Sequence, residues 1–188
     1  MKIENLFSPN FLRKKRINSS IKFIVIHYTG MQSERESINW LCNPISKVSS
    51  HYLISKNGKI YRLVKDNKIA WHAGKSSWAK YKNLNKNSIG IELVNRGHIF
   101  GYNYFTKKQL SSLTKLCKVL IKKYKIKSQN IIGHSDIAPL RKIDPGEKFP
   151  WKKFAGNKIG IWHNLGSDLS KYRKLKIKNK IDKIKFLR

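Results

Sequence analysis

The chain has very few cysteines for its 188 residues. Only Cys42 and Cys117 are present, and neither belongs to a Cys-x-x-Cys pair. This count disfavours a disulfide framework and a zinc finger, leaving room for at most one bridge. Hydrophobic residues make up 40% of the chain, including eight Phe, eight Tyr and five Trp. We therefore expect one domain that is stabilised by an ordinary hydrophobic core.

Long hydrophobic runs are also lacking. No segment approaches the roughly 20 apolar residues that a membrane-spanning helix needs. Residues 1–20 carry Lys2, Glu4 and the basic group Arg13–Arg16, but no apolar stretch of the length found in a signal peptide. These features favour a cytoplasmic location, with envelope association as the alternative if a leader has been removed.

Acidic residues are scarce, since 10 Asp and Glu stand against 41 Lys and Arg, giving a formal net charge of +31. Such a charge attracts polyanions, such as nucleic acid, anionic lipid or an anionic cell-wall polymer. The lysines are spread along the whole chain, however, and do not form one basic arm interleaved with aromatic residues. We therefore expect most of them to be solvated surface residues, and we do not expect nucleic acid as a partner.

The spacing of apolar residues predicts an α/β fold with a mixed central β-sheet flanked by helices. A continuous apolar run from Lys22 to Tyr28 is typical of a central buried strand. Capping boxes at Ser33–Glu36 and Thr106–Gln109 each precede an amphipathic helix. Asn57-Gly58 lies between two apolar segments and predicts a β-hairpin. Two further strands are predicted over residues 88–94 and 130–133.

Composition divides the chain into three parts. We expect an N-terminal extension over residues 1–20, the main domain over 21–165 and a basic tail over 166–188. Within the tail, isoleucines 177, 181 and 184 have helical spacing. A basic amphipathic helix of this kind either packs on its own domain or lies on an anionic membrane.

His27, His134 and Asp144 are candidate metal ligands. His27 lies at the end of a predicted buried strand, and the other two follow the last predicted strand. Two imidazoles and one carboxylate form the ligand set of a catalytic zinc, which keeps its fourth position for water. A lone histidine on a buried strand is more often a hydrogen-bonded core residue. The three residues together, rather than any one of them, indicate a zinc hydrolase.

Lys142 is expected beside this site. Asp144 precedes Pro145, which favours an extended conformation at Asp144. Alternate side chains of an extended segment share a face, so Lys142 and Asp144 point the same way. An ammonium group beside the metal could stabilise the oxyanion of a tetrahedral intermediate. Taken alone, the segment also fits a surface lysine followed by a turn-capping aspartate.

Glu92 lies in the middle of the strand predicted over residues 88–94. Strand alternation puts Gly90 and Glu92 on the face opposite the core. The missing side chain at Gly90 suits the close approach of a ligand. Glu92 could then act as a general base on zinc-bound water. The alternative is an exposed strand glutamate that pairs with one of the many lysines.

Six sequence blocks, spread between about residue 8 and residue 162, carry a resemblance to a known family. The blocks are Ile26–Gly30, Val48–Ile54, Ala70–Gly74, Ser88–Glu92, Gly133–Pro139 and Arg141–Gly146. In this order they resemble the zinc-dependent N-acetylmuramoyl-L-alanine amidases of the type 2 class, whose fold is shared with peptidoglycan-recognition proteins. Any single block would be a weak signal, whereas six in the same order are specific.

The resemblance implies a fold, a reaction and a role for each candidate residue. The implied zinc ligands are His27, His134 and Asp144, and the implied catalytic residues are Glu92 as acid/base and Lys142. The implied substrate-binding residues are His51, Trp71, His72 and Asn95. The zinc (Zn2+) would lie in a surface groove of the domain at residues 21–165. The reaction implied is hydrolysis of the amide between N-acetylmuramic or anhydro-N-acetylmuramic acid and L-alanine. The partners would be peptidoglycan fragments, and we expect a monomer.

Two features depart from the family pattern, and two other functions are open. Leu140 occupies a position where relatives often have glycine, and the lysine-rich tail has no counterpart in the pattern. A peptidoglycan-binding module without catalysis would typically lack the ligand at the Asp144 position, and a nucleic-acid-binding protein is suggested by charge alone. The presence of all five chemical residues favours the enzyme.

Overall fold

Residues 1–163, which the computed structural model describes, contain one main sheet with helices on both of its faces. The strands are β1 (Ile3–Asn5), β2 (Phe11–Leu12), β3 (Phe23–Tyr28), β4 (Tyr52–Ile54), β5 (Ile60–Arg62), β6 (Ile69–Ala70), β7 (Ser77–Trp78), β8 (Tyr81–Lys82), β9 (Ser88–Leu93) and β10 (Ile131–Gly133). The helices are α1 (Glu34–Cys42), α2 (Lys107–Tyr124), α3 (His134–Ile137) and α4 (Trp151–Gly156).

The main sheet is mixed, which confirms the predicted fold class. Its six strands are arranged in the order β1-β5-β4-β9-β3-β10. The apolar run predicted as a central strand forms β3, which pairs in parallel with β9 on one side and β10 on the other. The antiparallel pair of this sheet is β4 with β5, the hairpin predicted around Asn57-Gly58. The strands and helices predicted from apolar spacing before residue 164 are thus present, whereas the helical spacing of the tail isoleucines lies outside the described residues.

Both predicted helix N-termini are capped, but neither forms a complete capping box. At the first helix, Ser33 Oγ accepts from Glu36 N at 3.1 Å, and the Glu36 carboxylate accepts from Gln32 N at 3.2 Å instead of from Ser33 N. Thr106 Oγ1 accepts a hydrogen bond from the Gln109 backbone N–H at 3.1 Å, as predicted. The Gln109 side chain does not return to the cap. Its amide donates instead to the backbone carbonyls of Ile54 at 2.9 Å and Val94 at 3.1 Å. The Ile54 carbonyl also accepts from Val94 N at 2.9 Å, so the Gln109 amide adds hydrogen bonds where β4 and β9 end instead of closing the local pairing.

The two faces of the sheet bury different kinds of core. Helix α2 covers one face with a single large cluster, to which the isoleucines of β3 and β9 contribute. The opposite face carries two smaller clusters, one containing Leu53 and the other Val25. Leu53 is the register partner of Glu92, and Val25 lies two residues before His27. The polar residues His27 and Glu92 therefore lie between two apolar clusters.

Residues 1–20, which composition set apart as an extension, take part in the domain. Strand β1 pairs with β5 in the main sheet, and β2 pairs with β6 in a second, two-stranded sheet. The Arg16 side chain is buried and donates to the backbone carbonyls of Asp66 at 2.9 Å and Ser88 at 2.7 Å. The boundary at residue 20 therefore does not separate two structural units. The basic tail at 166–188 lies outside the described residues.

None of the helices within residues 1–163 is both long enough and apolar enough to cross a membrane.

Asp66 is a buried carboxylate that connects the hairpin region to α2. Its Oδ1 atom accepts a hydrogen bond from the Tyr52 hydroxyl at 2.6 Å. Its Oδ2 atom accepts from the Tyr124 hydroxyl at 2.6 Å and from Lys123 Nζ at 3.0 Å. Burial alone would raise the pKa of Asp66, but these three donors hold the pKa below its usual value.

We expect Asp66→Asn to lower the free energy of unfolding by about 1–3 kcal/mol, because hydrogen bonds to a buried charge are lost. The lowered pKa of Asp66 means that its stabilisation is complete above the ordinary value of 3.8 and is lost as the pH falls below it. Urea unfolding between pH 3 and pH 7 should therefore show a weaker acid dependence in the variant.

The control for Asp66→Asn is Glu4→Gln, because Glu4 forms an exposed pair with Lys59 and should contribute little. Equal acid dependence in wild type and Asp66→Asn would contradict the assigned role.

Candidate active site

Three candidate ligands meet at the carboxyl edge of the main sheet. His27 is the fifth of the six residues of β3, and His134 follows directly after β10. Since β3 and β10 are parallel neighbours, their carboxyl ends lie side by side. Asp144 comes from the loop after α3, where its backbone carbonyl accepts a hydrogen bond from Ser135 N at 2.8 Å. Residues far apart in sequence are thus brought to one point.

The three side chains form a tight, buried cluster. The Nδ1 atoms of His27 and His134 are 3.0 Å apart. Asp144 Oδ2 lies 3.0 Å from His27 Nδ1 and 3.1 Å from His134 Nδ1. The three predicted metal ligands therefore form a possible metal-binding cluster.

The surroundings of His27 and Asp144 favour a neutral imidazole at the first and an ionised carboxylate at the second. Burial and the neighbouring His134 lower the pKa of His27 to about 4, so that its imidazole is neutral. Burial alone would raise the pKa of Asp144, but its contacts with His134 and His27 hold the pKa well below its usual range. An ionised carboxylate beside neutral imidazole is suited to binding a cation.

The donor atoms of the cluster fit a zinc ion. His134 Nε2 lies 3.2 Å from the carbonyl oxygen of Ala73. A carbonyl can only accept, so Nε2 carries the proton and Nδ1 keeps a lone pair that faces the cluster. Tetrahedral zinc with bonds of about 2.0–2.1 Å separates its ligand atoms by roughly 3.3 Å. The distances of 3.0–3.1 Å between the three atoms are close to this value.

Glu92 lies beside the cluster on the neighbouring strand. It is the register partner of His27 in the parallel pair of β9 and β3, so both side chains leave the same face. Its Oε2 atom is buried and has no hydrogen-bond partner within residues 1–163. Burial and the nearby Asp144 raise the pKa of Glu92 to about 8, and Lys142 partly opposes this shift. A buried carboxylate oxygen without a partner costs free energy and points to a functional role.

A groove of about 390 Å³ opens onto these residues. Lys142, Asp144 and Glu92 line it, as do Trp71 and His72. The positive charge of Lys142 acts on both His27 and Glu92, lowering the pKa of each. The apolar part of the wall is formed by Trp40, Leu41, Val48, Ile99 and Ile143. The groove thus combines a polar floor with an apolar rim, as is usual for binding sites.

His51 does not line this groove, although the resemblance implies that it binds substrate. The residue is fully buried. Its Nδ1 atom accepts a hydrogen bond from Gly90 N at 3.0 Å. Burial lowers the pKa of His51 to about 3, so the neutral ring carries its proton on Nε2, which can donate to the Lys68 carbonyl oxygen at 3.2 Å. Both ring nitrogens are thus engaged inside the protein.

Asn95 is likewise engaged within the protein rather than at the groove. Its Oδ1 atom accepts from Gly97 N at 3.1 Å, and its Nδ2 atom donates to the Asn103 carbonyl at 2.8 Å. Only 2% of the residue is exposed. These bonds shape the loop after β9, and Asn95 does not line the groove, so its implied contact with substrate stays a prediction.

The space above Gly90 is filled by the protein itself. A Cβ atom at Gly90 would lie 2.4 Å from Cγ of His72. The glycine therefore admits the His72 ring and not, as the sequence suggested, a ligand. Ser88 and Asn85, which contact the His72 segment, were missed by the sequence analysis because no local motif marks them.

A buried cluster of two histidines and an aspartate, open to a groove and flanked by a carboxylate, is the arrangement of metal-dependent hydrolases. The family model described as N-acetylmuramoyl-L-alanine amidase matches residues 17–147, and the chain belongs to this family.

Two curated relatives illustrate the similarity. The N-acetylmuramoyl-L-alanine amidase AmiD of Escherichia coli K12 is 44% identical over 154 residues, which cover 76% of this chain and 55% of AmiD. The 1,6-anhydro-N-acetylmuramyl-L-alanine amidase AmpD of Haemophilus influenzae is 36% identical over 166 residues, covering 78% of this chain and 87% of AmpD. The chain thus spans just over half the length of AmiD.

Solved structures agree with the fold. The complex of E. coli AmiD with anhydro-N-acetylmuramic acid-L-Ala-D-gamma-Glu-L-Lys matches with a TM-score of 0.72 and 38% identity, over 81% of this chain and 62% of that chain. AmpDh3 from Pseudomonas aeruginosa, in complex with anhydromuramic pentapeptide, matches with a TM-score of 0.72 and 31% identity, over 92% and 73%. Both confirm a mixed sheet flanked by helices.

We expect Glu92→Gln to stabilise the metal-free protein at high pH. The pKa of Glu92 is raised from 4.5 to about 8, so the stabilisation from its bound proton is complete below pH 4.5 and is lost as the pH rises towards 8. At pH 9 the variant should be more stable by about 1–3 kcal/mol, since a buried unpaired charge is removed. The difference should vanish near pH 4.5.

Urea unfolding in the presence of a chelator measures this difference. Glu4→Gln, which changes an exposed glutamate, should show no such pH dependence. A wild type that is as stable as Glu92→Gln at pH 9 would mean that the Glu92 carboxylate is well solvated.

Proposed function

We propose that the protein is a zinc-dependent amidase that hydrolyses the bond between the lactyl group of a muramic acid residue and L-alanine. The observation that carries this proposal is the cluster of His27, His134 and Asp144, with Glu92 on the adjacent strand, whose buried Oε2 atom has no hydrogen-bond partner among residues 1–163. The relatives support the substrate class, since AmpD is named for 1,6-anhydro-N-acetylmuramyl-L-alanine and AmiD forms a complex with an anhydro-muramyl peptide.

His27, His134 and Asp144 would hold the zinc ion through Nδ1, Nδ1 and Oδ2. When bound, zinc supplies Lewis acidity, which polarises a carbonyl and lowers the pKa of water to about 7. The three protein ligands leave one side of the cluster facing the groove, where the scissile amide has access. This open side distinguishes the site from a closed structural zinc site.

Glu92 is suited to proton transfer in both directions. Its carboxylate would take a proton from the attacking water and return it to the leaving amine of L-alanine. A group that does both works best when its pKa lies near the working pH. The apolar clusters on either side of Glu92 raise its pKa, and Lys142 opposes this rise. The surroundings of Glu92 therefore bring its pKa towards neutrality.

Lys142 would stabilise the oxyanion of the tetrahedral intermediate. It lines the groove beside Asp144, and its charge acts on Glu92 and His27. An ammonium group held in a partly buried groove interacts with a developing negative charge more strongly than one in bulk water. Arg141, the preceding residue, keeps the loop in place by donating to the carbonyls of Ala73 and Lys75, each at 2.9 Å.

The groove wall is suited to a glycopeptide. Trp71 and Trp40 offer aromatic surface on which a sugar ring can pack, and Ile99 and Ile143 offer apolar contacts to stem-peptide methyl groups. We propose Trp71 as the substrate-binding member of the four residues implied by the resemblance.

We expect Asp144→Ala to lose zinc and activity together, because one of three ligands is removed. Zinc content after dialysis and release of peptide from a muropeptide are the measurements. Activity should also disappear with a chelator and return with zinc. Glu147→Gln, which changes an exposed glutamate of the same loop, should keep its zinc. Full zinc occupancy in Asp144→Ala would remove Asp144 from the ligand set.

We expect Glu92→Gln and Lys142→Met to keep zinc but lose turnover. Loss of the acid/base should lower kcat by about 100- to 10,000-fold. Loss of the oxyanion contact should lower kcat by about 100- to 1,000-fold with a smaller change in KM. Steady-state rates on one muropeptide at fixed zinc occupancy provide the measurement. A near-normal kcat in either variant would exclude that residue from the chemical step.

We expect 1,6-anhydro-muramyl tripeptide to be cleaved at least as fast as the ordinary muramyl tripeptide. Both substrates present the same scissile amide to Glu92 and the zinc ligands, and the relatives named above act on or bind the anhydro form. Comparing kcat/KM for the two sugars tests the expectation. A tenfold preference for the ordinary sugar would assign the protein to a different substrate form.

A further inference from the structure

His72 was expected to bind substrate, but both of its ring nitrogens are engaged inside the protein. Its Nδ1 atom lies 3.0 Å from Nε2 of His27, and its Nε2 atom lies 3.0 Å from Oγ of Ser88. The residue is only 8% exposed. The ring therefore connects a proposed metal ligand to the first residue of β9.

The direction of these hydrogen bonds follows from Ser88. Its hydroxyl donates to the backbone carbonyl of Leu84 at 2.6 Å, and a carbonyl can only accept. The Ser88 oxygen must then accept from His72, so the His72 proton is on Nε2. A neutral imidazole has one N–H, which leaves Nδ1 of His72 as an acceptor for the Nε2 proton of His27.

The surroundings of His72 favour this neutral form. Its ring lies edge-on to the imidazoles of His27 and His51, with centroid distances of 5.1 Å and 5.6 Å. A second proton on His72 would place an additional charge in a buried cluster of imidazoles, which desolvation opposes. Gly90 adds a steric condition, because any Cβ there would displace the ring.

The consequence for His27 is a fixed tautomer. With its proton on Nε2 directed to His72, His27 presents the lone pair of Nδ1 to Asp144 and His134. The His134 imidazole also presents its Nδ1 lone pair to the cluster, because its Nε2 proton is directed to the carbonyl of Ala73 at 3.2 Å. The two acceptors, His72 Nδ1 and the Ala73 carbonyl, belong to consecutive residues.

One side chain holds this two-residue segment in place. Asn85 Oδ1 accepts hydrogen bonds from the backbone N–H of His72 at 3.1 Å and of Ala73 at 2.7 Å. Arg141 also donates to the Ala73 carbonyl, at 2.9 Å. The segment is therefore fixed both at its backbone and at the two groups that face the imidazoles.

We propose that the His72-Ala73 segment, held by Asn85 and directed by Ser88, sets the tautomers of both imidazole ligands so that each offers Nδ1 to the metal. His72 is in this view a positioning residue that acts through His27. The proposal rests on the metal site described under the proposed function. Outer partners of this kind typically contribute 10- to 100-fold to metal affinity.

The first test measures zinc affinity of the full chain by competition with a chromophoric chelator. His72→Phe keeps a ring above Gly90 but removes the acceptor for His27, and should bind zinc about 10- to 100-fold more weakly. His72→Asn can place its Oδ1 atom near the position of Nδ1, and should recover part of the affinity. Recovery by Asn but not by Phe separates hydrogen bonding from packing.

The matched control is His98→Phe. His98 is also bonded through both ring nitrogens, to Tyr28 at 2.8 Å and to Glu147 at 2.9 Å, but it does not contact the proposed ligands. Its zinc affinity should equal that of the wild type. A second pair addresses the backbone anchor: Asn85→Leu should weaken zinc binding, whereas Asn85→Asp keeps the acceptor and should not.

The second test reads the tautomers directly and needs no metal. Two-bond 1H–15N correlation spectra of the metal-free protein should show His27 and His134 protonated at Nε2, and the His27 pattern should change in His72→Phe. A wild-type His27 protonated at Nδ1 would overturn the inference whatever the zinc affinity.

The two proposals fail in different ways. A wild type that binds no zinc overturns the metal centre and the tautomer proposal with it. A wild type that binds zinc, together with unchanged affinity in His72→Phe, overturns the tautomer proposal alone.

Discussion

Parallel strands bring their carboxyl ends to one edge of a sheet, and the candidate metal ligands and Glu92 lie at that edge. Pairing of β3 with β10 places His27 next to His134, and pairing of β3 with β9 places His27 next to Glu92. A shift of one residue in either register would turn a functional side chain into the core under α2. The apolar residues of β3 and β9 thus fix the site indirectly, because their burial determines the register.

The site lowers the free energy of unfolding, and the rest of the domain must offset this loss of stability. Buried histidines and a carboxylate oxygen that lacks a partner in the described part of the chain replace apolar contacts on one face of the sheet, between two small hydrophobic clusters. The opposite face, covered by α2, holds the large continuous core. Stability and function are therefore divided between the two faces, as is common when an active site departs from optimal packing.

Local sequence signals predicted the parts of the fold that depend on neighbours along the chain. The run ending at Tyr28, the cap at Thr106 and the turn at Asn57-Gly58 were each identified because period, capping and turn chemistry act over a few residues. His27, His134 and Asp144 were predicted as a ligand set from their residue types, and the order of the six sequence blocks along the chain supported that prediction. Local signals could not predict which distant residues a side chain contacts in the folded protein.

His51 and Gln109 illustrate this limit. The block around His51 resembles a groove-lining segment, yet the ring is buried and accepts a hydrogen bond from Gly90 N, 39 residues away. Gln109 has the position of a capping-box residue, but 55 residues separate it from the Ile54 carbonyl that it satisfies. No periodicity marks such pairs, because the need for a hydrogen-bond partner arises only after the backbone has folded.

The order of the ligands along the chain has a consequence for folding. His27 is separated by 107 residues from His134 and by 117 from Asp144. A fragment that ends before β10 lacks both His134 and Asp144, and pairing of β10 with β3 is what places His134 beside His27. A metal captured there recognises only the finished domain, so its binding energy is added to the native state alone. The ion would thus bind the folded domain and not the partly folded forms, in which the three ligands are still apart.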